Sequence, residues 1–145
     1  MLSDPFTQRG VDFCPQSGKV LLVDEDTRDL NFFRLILEGQ GYIVLTCASF
    51  AAALQCLDVE PFDFVLVSQG SQAFEGRSVV DRAMQLNRQR AVLVVTRCID
   101  MNCYLEAMQM GAVDYLEKPL APGDLLRFVR GHIQMEKLRG QTTAA

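Results

Sequence analysis

The sequence predicts one α/β domain built on a five-stranded, parallel, doubly wound sheet. Three observations carry this reading: five short runs that are almost continuously apolar, a helical stretch after each of them, and a length of 145 residues that suits a single core. Parallel strands need crossover helices and are buried on both faces, so they read as unbroken apolar runs.

Val20 to Val23 is the first such run. Asp26 to Gln40 then sets Leu30, Phe33 and Leu37 on one helical face, with Phe32, Leu35 and Ile36 beside them, until Gly39 and Gly41 end the helix. Tyr42 to Thr46 forms the second strand, and Ser49 caps an alanine-rich helix that ends near Leu57. Past the turn at Pro61 come the third strand, Phe62 to Val67, and the third helix, Gly76 to Leu86. Ala91 to Thr96 is the fourth strand, and Met101 to Met110 is a helix closed by Gly111. Val113 to Glu117 is the fifth strand. Pro122 opens a last helix to about Leu138, with Leu125, Leu126, Phe128, Val129 and Ile133 spaced to pack inward. The organisation expected is an N-terminal extension over 1–17, a domain over 18–138 and a flexible tail over 139–145.

Composition removes several function classes. A formal charge of -4 and a pI of about 4.9 leave no excess cation to hold nucleic-acid phosphates. The apolar runs fall far short of the roughly 20 residues of a membrane span. Met1 to Gly18 lacks the basic start and apolar stretch of a secretory signal, so a cytoplasmic protein is expected. The five cysteines (Cys14, Cys47, Cys56, Cys98 and Cys103) are odd in number and form no C-x-x-C pair, which suits reduced thiols. His132, the one histidine, reads as a solvated residue of the last helix rather than a metal ligand.

In a doubly wound sheet, ligands gather at the carboxyl ends of the strands, where the strand order switches. Asp24, Glu25 and Asp26 follow the first strand, Ser68 the third, Thr96 the fourth, and Lys118 with Pro119 the fifth. Clustered carboxylates suit a hard cation such as magnesium, a hydroxyl can bond a phosphoryl oxygen, and a lysine can neutralise charge developing on it. Each residue alone has a plainer use as a cap, a turn or a solvated side chain. Their joint appearance is the informative fact, and Lys118 stands out because the chain has only three lysines against eleven arginines.

The run Val20 to Asp26, the helix end Gly41-Tyr42, the segment Phe62 to Val67, then Thr96 and finally Met110 to Pro119 together resemble a response-regulator receiver over about 18–138, a flavodoxin-like (βα)5 fold. The resemblance implies two-component or phosphorelay signalling. In that family paired acids hold magnesium, an aspartate ending the third strand accepts phosphate from a histidine kinase, Thr and Lys contact the phosphoryl group, and a fifth-strand aromatic reports the state. By position these roles fall to Asp24 and Glu25, Ser68, Thr96, Lys118 and Tyr115.

Ser68 departs from the pattern. A serine hydroxyl forms no acyl phosphate and is a neutral, weaker metal ligand, so magnesium at Asp24 and Glu25 is expected to be weak at best and no cofactor to be required. Gln72 stands where the family has proline, and Arg97 stands where it has a small residue that keeps the pocket mouth open; its guanidinium either points to solvent or plugs the pocket. The expectation is a pseudo-receiver, not an enzyme, that signals by binding a protein, either a histidine kinase or a downstream effector. If the natural chain is the one written here, it acts without an output domain, through a surface. Met101, Leu105 and Met108 on the fourth helix are candidates for that surface, and a homodimer through the fourth and fifth helices is a further expectation.

Two alternatives stand beside it. Asp24-x-Asp26 with Thr96 and Lys118 also resembles a haloacid-dehalogenase-type, magnesium-dependent phosphatase, although that family expects a further acidic motif after the lysine. A small nucleotide- or flavin-binding domain shares the architecture, but three acids after the first strand would repel phosphate.

Overall fold

The computed structural model describes residues 18–144, with side chains through 135. Cys14 and the expected N-terminal extension over 1–17 lie outside the described residues. Ten elements alternate without exception. They are β1 (Lys19–Val23), α1 (Thr27–Glu38), β2 (Ile43–Cys47), α2 (Phe50–Val59), β3 (Phe64–Ser68), α3 (Arg77–Leu86), β4 (Ala91–Thr96), α4 (Met101–Met110), β5 (Asp114–Glu117) and α5 (Pro122–Ala144). All pairings are parallel, in the order β2-β1-β3-β4-β5.

The central strands β3 and β4 are buried along their whole length, which is why they read as continuous apolar runs. Alternate residues feed two cores, following the two-residue strand period. Leu21, Val23, Val65, Val67, Val92 and Val94 face Ala53, Leu57, Val79, Val80, Ala83, Cys103 and Ala107 of α2, α3 and α4. Val20, Leu22, Phe64, Leu66, Leu93 and Val95 face Leu30, Phe33 and Leu37 of α1 and Leu125, Val129 and Ile133 of α5. Each buried aliphatic or aromatic side chain contributes roughly 1.5–3 kcal/mol.

The helix boundaries follow local chemistry. Asp26 caps α1 by accepting from Arg28 N and Asp29 N, Ser49 caps α2 through Ala52 N, and Asp100 caps α4 through Cys103 N. Gly111 ends α4 in the left-handed region at φ 106°, where a side chain would be strained. One expectation needs correction. The last helix does not stop near Leu138; its backbone is helical through Ala144. No proline follows Pro122, and a single Gly140 costs only about 1 kcal/mol, too little to stop a helix by itself.

Candidate functional site

The strand order reverses between β1 and β3, so their carboxyl ends open the crevice in which such sheets bind ligands. A cleft of about 340 Å³ lies there, lined by Asp24, Glu25 and Asp26 after β1, Ser68 to Gln72 after β3, Thr96 to Cys98 after β4, and Lys118 after β5. The fold therefore brings together Asp24, Glu25, Asp26, Ser68, Thr96 and Lys118, which the sequence singled out at the strand ends. Tyr115 lies behind them on β5, buried.

Lys118 is the buried cation of the site. Its Nζ donates to Asp24 Oδ2 and Asp29 Oδ2, each at 2.7 Å, with 6% of its side chain exposed. Asp24 is equally enclosed, and its Oδ1 accepts the Asp26 backbone N–H at 2.9 Å. Arg97 answers the question left open by its position: 64% of its side chain is exposed, yet its guanidinium closes on Asp26 and on Asp29, the latter at 2.9 Å. The backbone N–H of Asp29, then that of Arg28 and the Arg97 guanidinium, hold the Asp26 carboxyl below its ordinary range. Glu25 stays exposed at the rim.

Ser68 ends β3 almost fully buried, and its hydroxyl accepts the Gly70 N–H at 3.2 Å. The loop that follows is tightly folded. A side chain on Gly76 would sit 2.1 Å from the Ser68 carbonyl oxygen, so only glycine permits this approach. Glu75 binds Ser71 N at 2.6 Å and the Ser71 hydroxyl, and Phe74 is buried at a φ of 58°.

Thr96 is turned into its own loop. Its hydroxyl donates to Cys98 O at 2.9 Å and accepts from Cys98 N at 3.2 Å. The Tyr115 hydroxyl donates to Gln69 Oε1 and accepts from Asp100 N at 3.1 Å, while its ring meets Tyr104 edge-on at 5.7 Å. Burial pushes the Tyr115 hydroxyl above its ordinary pKa.

These donors fit a magnesium ion poorly. A hard cation needs several anionic oxygens, but both Asp24 oxygens already accept hydrogen bonds and Ser68 offers a neutral hydroxyl. Among the described residues no three His, Cys, Asp or Glu side chains converge to hold a metal.

Among the residues sequence reasoning missed, two bond directly to the site's key side chains. Asp29, shared by Lys118 and Arg97, lies three residues after Asp26 on the same face of α1, a spacing that could have flagged it. Gln69 carried no such signal, since only the fold sets it against Tyr115. On the proposed partner surface, Met101 and Leu105 are well exposed, as is Ile99 just before α4, and Met108 is half-buried. No helix among the described residues is long and apolar enough to cross a membrane.

Residues 20–130 match the family model described as the response regulator receiver domain. The chain is 30% identical over 129 residues to the alginate biosynthesis transcriptional regulatory protein AlgB of Pseudomonas aeruginosa, covering 89% of this chain and 29% of that protein. It is 32% identical over 101 residues to the transcriptional regulatory protein ZraR of Escherichia coli K12, covering 70% and 23%. The chain thus spans less than a third of these curated relatives. Among solved structures, a CheY-like response regulator receiver domain protein from Methanospirillum hungatei superposes with a TM-score of 0.80 at 26% identity, covering 86% of this chain and 99% of that one. A receiver domain protein from Clostridium thermocellum gives 0.75 at 26%, covering 83% and 97%. The haloacid-dehalogenase alternative gains no support from these matches.

Proposed function

The chain belongs to the response regulator receiver family, and from that premise we propose that it is a pseudo-receiver of two-component signalling, cytoplasmic and non-enzymatic, acting by protein contact without aspartyl phosphorylation. The observation that carries this reading is Ser68 at the end of β3, the position at which the family's phospho-acceptor carboxylate stands. Its hydroxyl is engaged with Gly70 N, and no histidine lies beside it to act as base. Asp24, the buried carboxylate of the cleft, is held by Lys118 and is a poor substitute nucleophile.

The same contacts support a pocket that supplies its own counter-charge. Lys118 takes the place of an arriving cation at Asp24 and Asp29, and Arg97 spans Asp26 and Asp29 at the mouth. Magnesium then binds weakly at Asp24 and Glu25 and is not required. A histidine kinase or a downstream effector is the partner class, reached through the exposed Ile99, Met101 and Leu105 around α4; self-association through α4 and α5 belongs to the same proposal.

Incubation with acetyl phosphate or a histidine kinase tests the reading. No acid-labile phosphoryl group should appear, whereas Ser68→Asp gives the family's acceptor back. A stoichiometric mass gain in the natural protein that disappears on replacing an acidic residue of the cleft would overturn it.

A further inference from the structure

Away from the cleft, two thiols face each other. Cys47 Sγ at the end of β2 lies 3.5 Å from Cys56 Sγ on α2. Both are free, Cys47 buried and Cys56 half-exposed. A disulfide has an S–S distance of about 2.0 Å, so roughly 1.5 Å of closure is needed between two elements already packed in one core. The other described cysteines are placed differently: Cys103 Sγ contacts Gln72 O at 3.5 Å, and Cys98 is exposed in the loop after β4. We infer that Cys47 and Cys56 form a redox pair that closes to an intramolecular disulfide when the protein meets a peroxide.

The exposed partner is the entry point. The Cys56 thiolate attacks a peroxide oxygen and breaks the O–O bond, leaving a sulfenic acid on Cys56 and a hydroxide that takes up a proton as water. The Cys47 sulfur then attacks the Cys56 sulfur; the S–S bond forms, the S–O bond breaks, and the departing hydroxyl carries away the Cys47 proton as a second water. Two thiols have lost two hydrogens and one hydrogen peroxide has become two waters. A dithiol reductant reverses the reaction by exchange.

Burial, with the neighbouring Cys56 thiol adding to it, pushes the Cys47 thiol up to about 12, so Cys47 does not initiate; its place 3.5 Å from Cys56 Sγ makes it the thiol that meets the sulfenic acid. The cross-link also has a structural address. Cys47 pairs with Val23 in the β1–β2 register, and its carbonyl oxygen accepts the Asp24 N–H at 3.1 Å. Oxidation therefore ties α2 to the strand end that holds the Asp24 backbone.

The test is to treat the reduced, folded full chain with hydrogen peroxide, then denature it, count thiols with a maleimide and map the products. Of five thiols, three should remain reactive, with the intact mass lower by two hydrogens. No lysine or arginine separates Cys47 from Cys56, so chymotrypsin, which cuts after Phe50 and Leu54, is the mapping protease. A linked Cys47–Cys56 peptide that dithiothreitol releases is expected in the natural protein and in Cys98→Ser, and its loss in Cys56→Ser. Oxygen addition without a link, or a link through Cys14, Cys98 or Cys103, would overturn the inference. The map of the natural protein decides the matter even if a variant folds poorly.

Discussion

The Tyr115 hydroxyl donates its hydrogen to Oε1 of Gln69, the residue directly after Ser68, so the end of β3 and the aromatic of β5 are joined behind the cleft. Both side chains are buried. A buried polar group that loses its partner costs about 1–3 kcal/mol, while removing both partners together is far less harmful. Gln69→Leu and Tyr115→Phe should each destabilise the domain by about that amount, and the double variant by less than the sum. Urea unfolding of the four proteins measures the coupling; strictly additive costs would mean that the contact contributes nothing.

Lys118 and Arg97 answer overlapping carboxylates but should differ sharply on replacement. Lys118→Met leaves Asp24 charged and buried, a loss expected to cost about 3–5 kcal/mol. Arg97 is mostly solvated, and Arg97→Ala should cost less than about 1 kcal/mol and lose even that at high salt. Denaturant midpoints at low and high ionic strength check both values. A large, salt-insensitive cost for Arg97→Ala would show it to be a structural element rather than a solvated latch.

The fold was legible because each element carried its own signal. Val92 to Val95 could only be a strand buried on both faces, and Asp26, Ser49 and Pro122 mark helix starts by their chemistry. The strand-end set was legible for a related reason: topology alone places residues that follow parallel strands together. What stayed hidden depended on side-chain reach. Nothing local tells that Asp29 turns toward Lys118, or that Gln69, an unremarkable amide, is buried against Tyr115. The end of α5 was misjudged because glycine and two threonines near the terminus weaken helix propensity without stopping the helix.

Stability should fall on the alkaline side. Burial is the leading cause that raises Tyr42 and Tyr115 above their ordinary 10.0, and it takes Cys47 to about 12 and Cys103 to about 11 from 9.0. Each group binds its proton more tightly folded than unfolded. Its contribution is therefore complete below the unfolded pKa and is lost as pH rises through the folded one. Urea midpoints should hold steady up to about pH 8.5 and decline from about pH 9 to 11. The decline should be shallower in Tyr115→Phe, and a midpoint that is flat to pH 11 would contradict the burial argument.

Magnesium should bind the natural protein no more tightly than about millimolar, because carboxylate number governs hard-cation affinity and Ser68 supplies none. Ser68→Asp should tighten binding, and adding Arg97→Ala should tighten it further by freeing Asp26 and Asp29. Calorimetric titration measures this. Micromolar affinity in the natural protein would mean that Asp24 and Glu25 suffice and that the internal cations yield easily.

The domain should also hold one signalling state. In receivers that switch, a phosphoryl group draws in the fourth-strand hydroxyl and the fifth-strand aromatic follows. Here the Thr96 hydroxyl is closed on Cys98, Tyr115 is bonded to Gln69 and Asp100, and Ser68 gives a phosphoryl group no carboxylate to occupy. A two-state equilibrium moves only as far as a ligand's differential affinity for the two states, so a phosphodonor that leaves nothing bound shifts nothing. Chemical shifts of the Tyr115 ring should be the same with and without acetyl phosphate and magnesium in the natural protein, and should move in Ser68→Asp/Arg97→Ala. Partner affinity should follow the same pattern. If the natural protein responded as strongly as the double variant, Thr96 and Tyr115 would be switching through a ligand other than an aspartyl phosphate, and the fixed-state reading would fall.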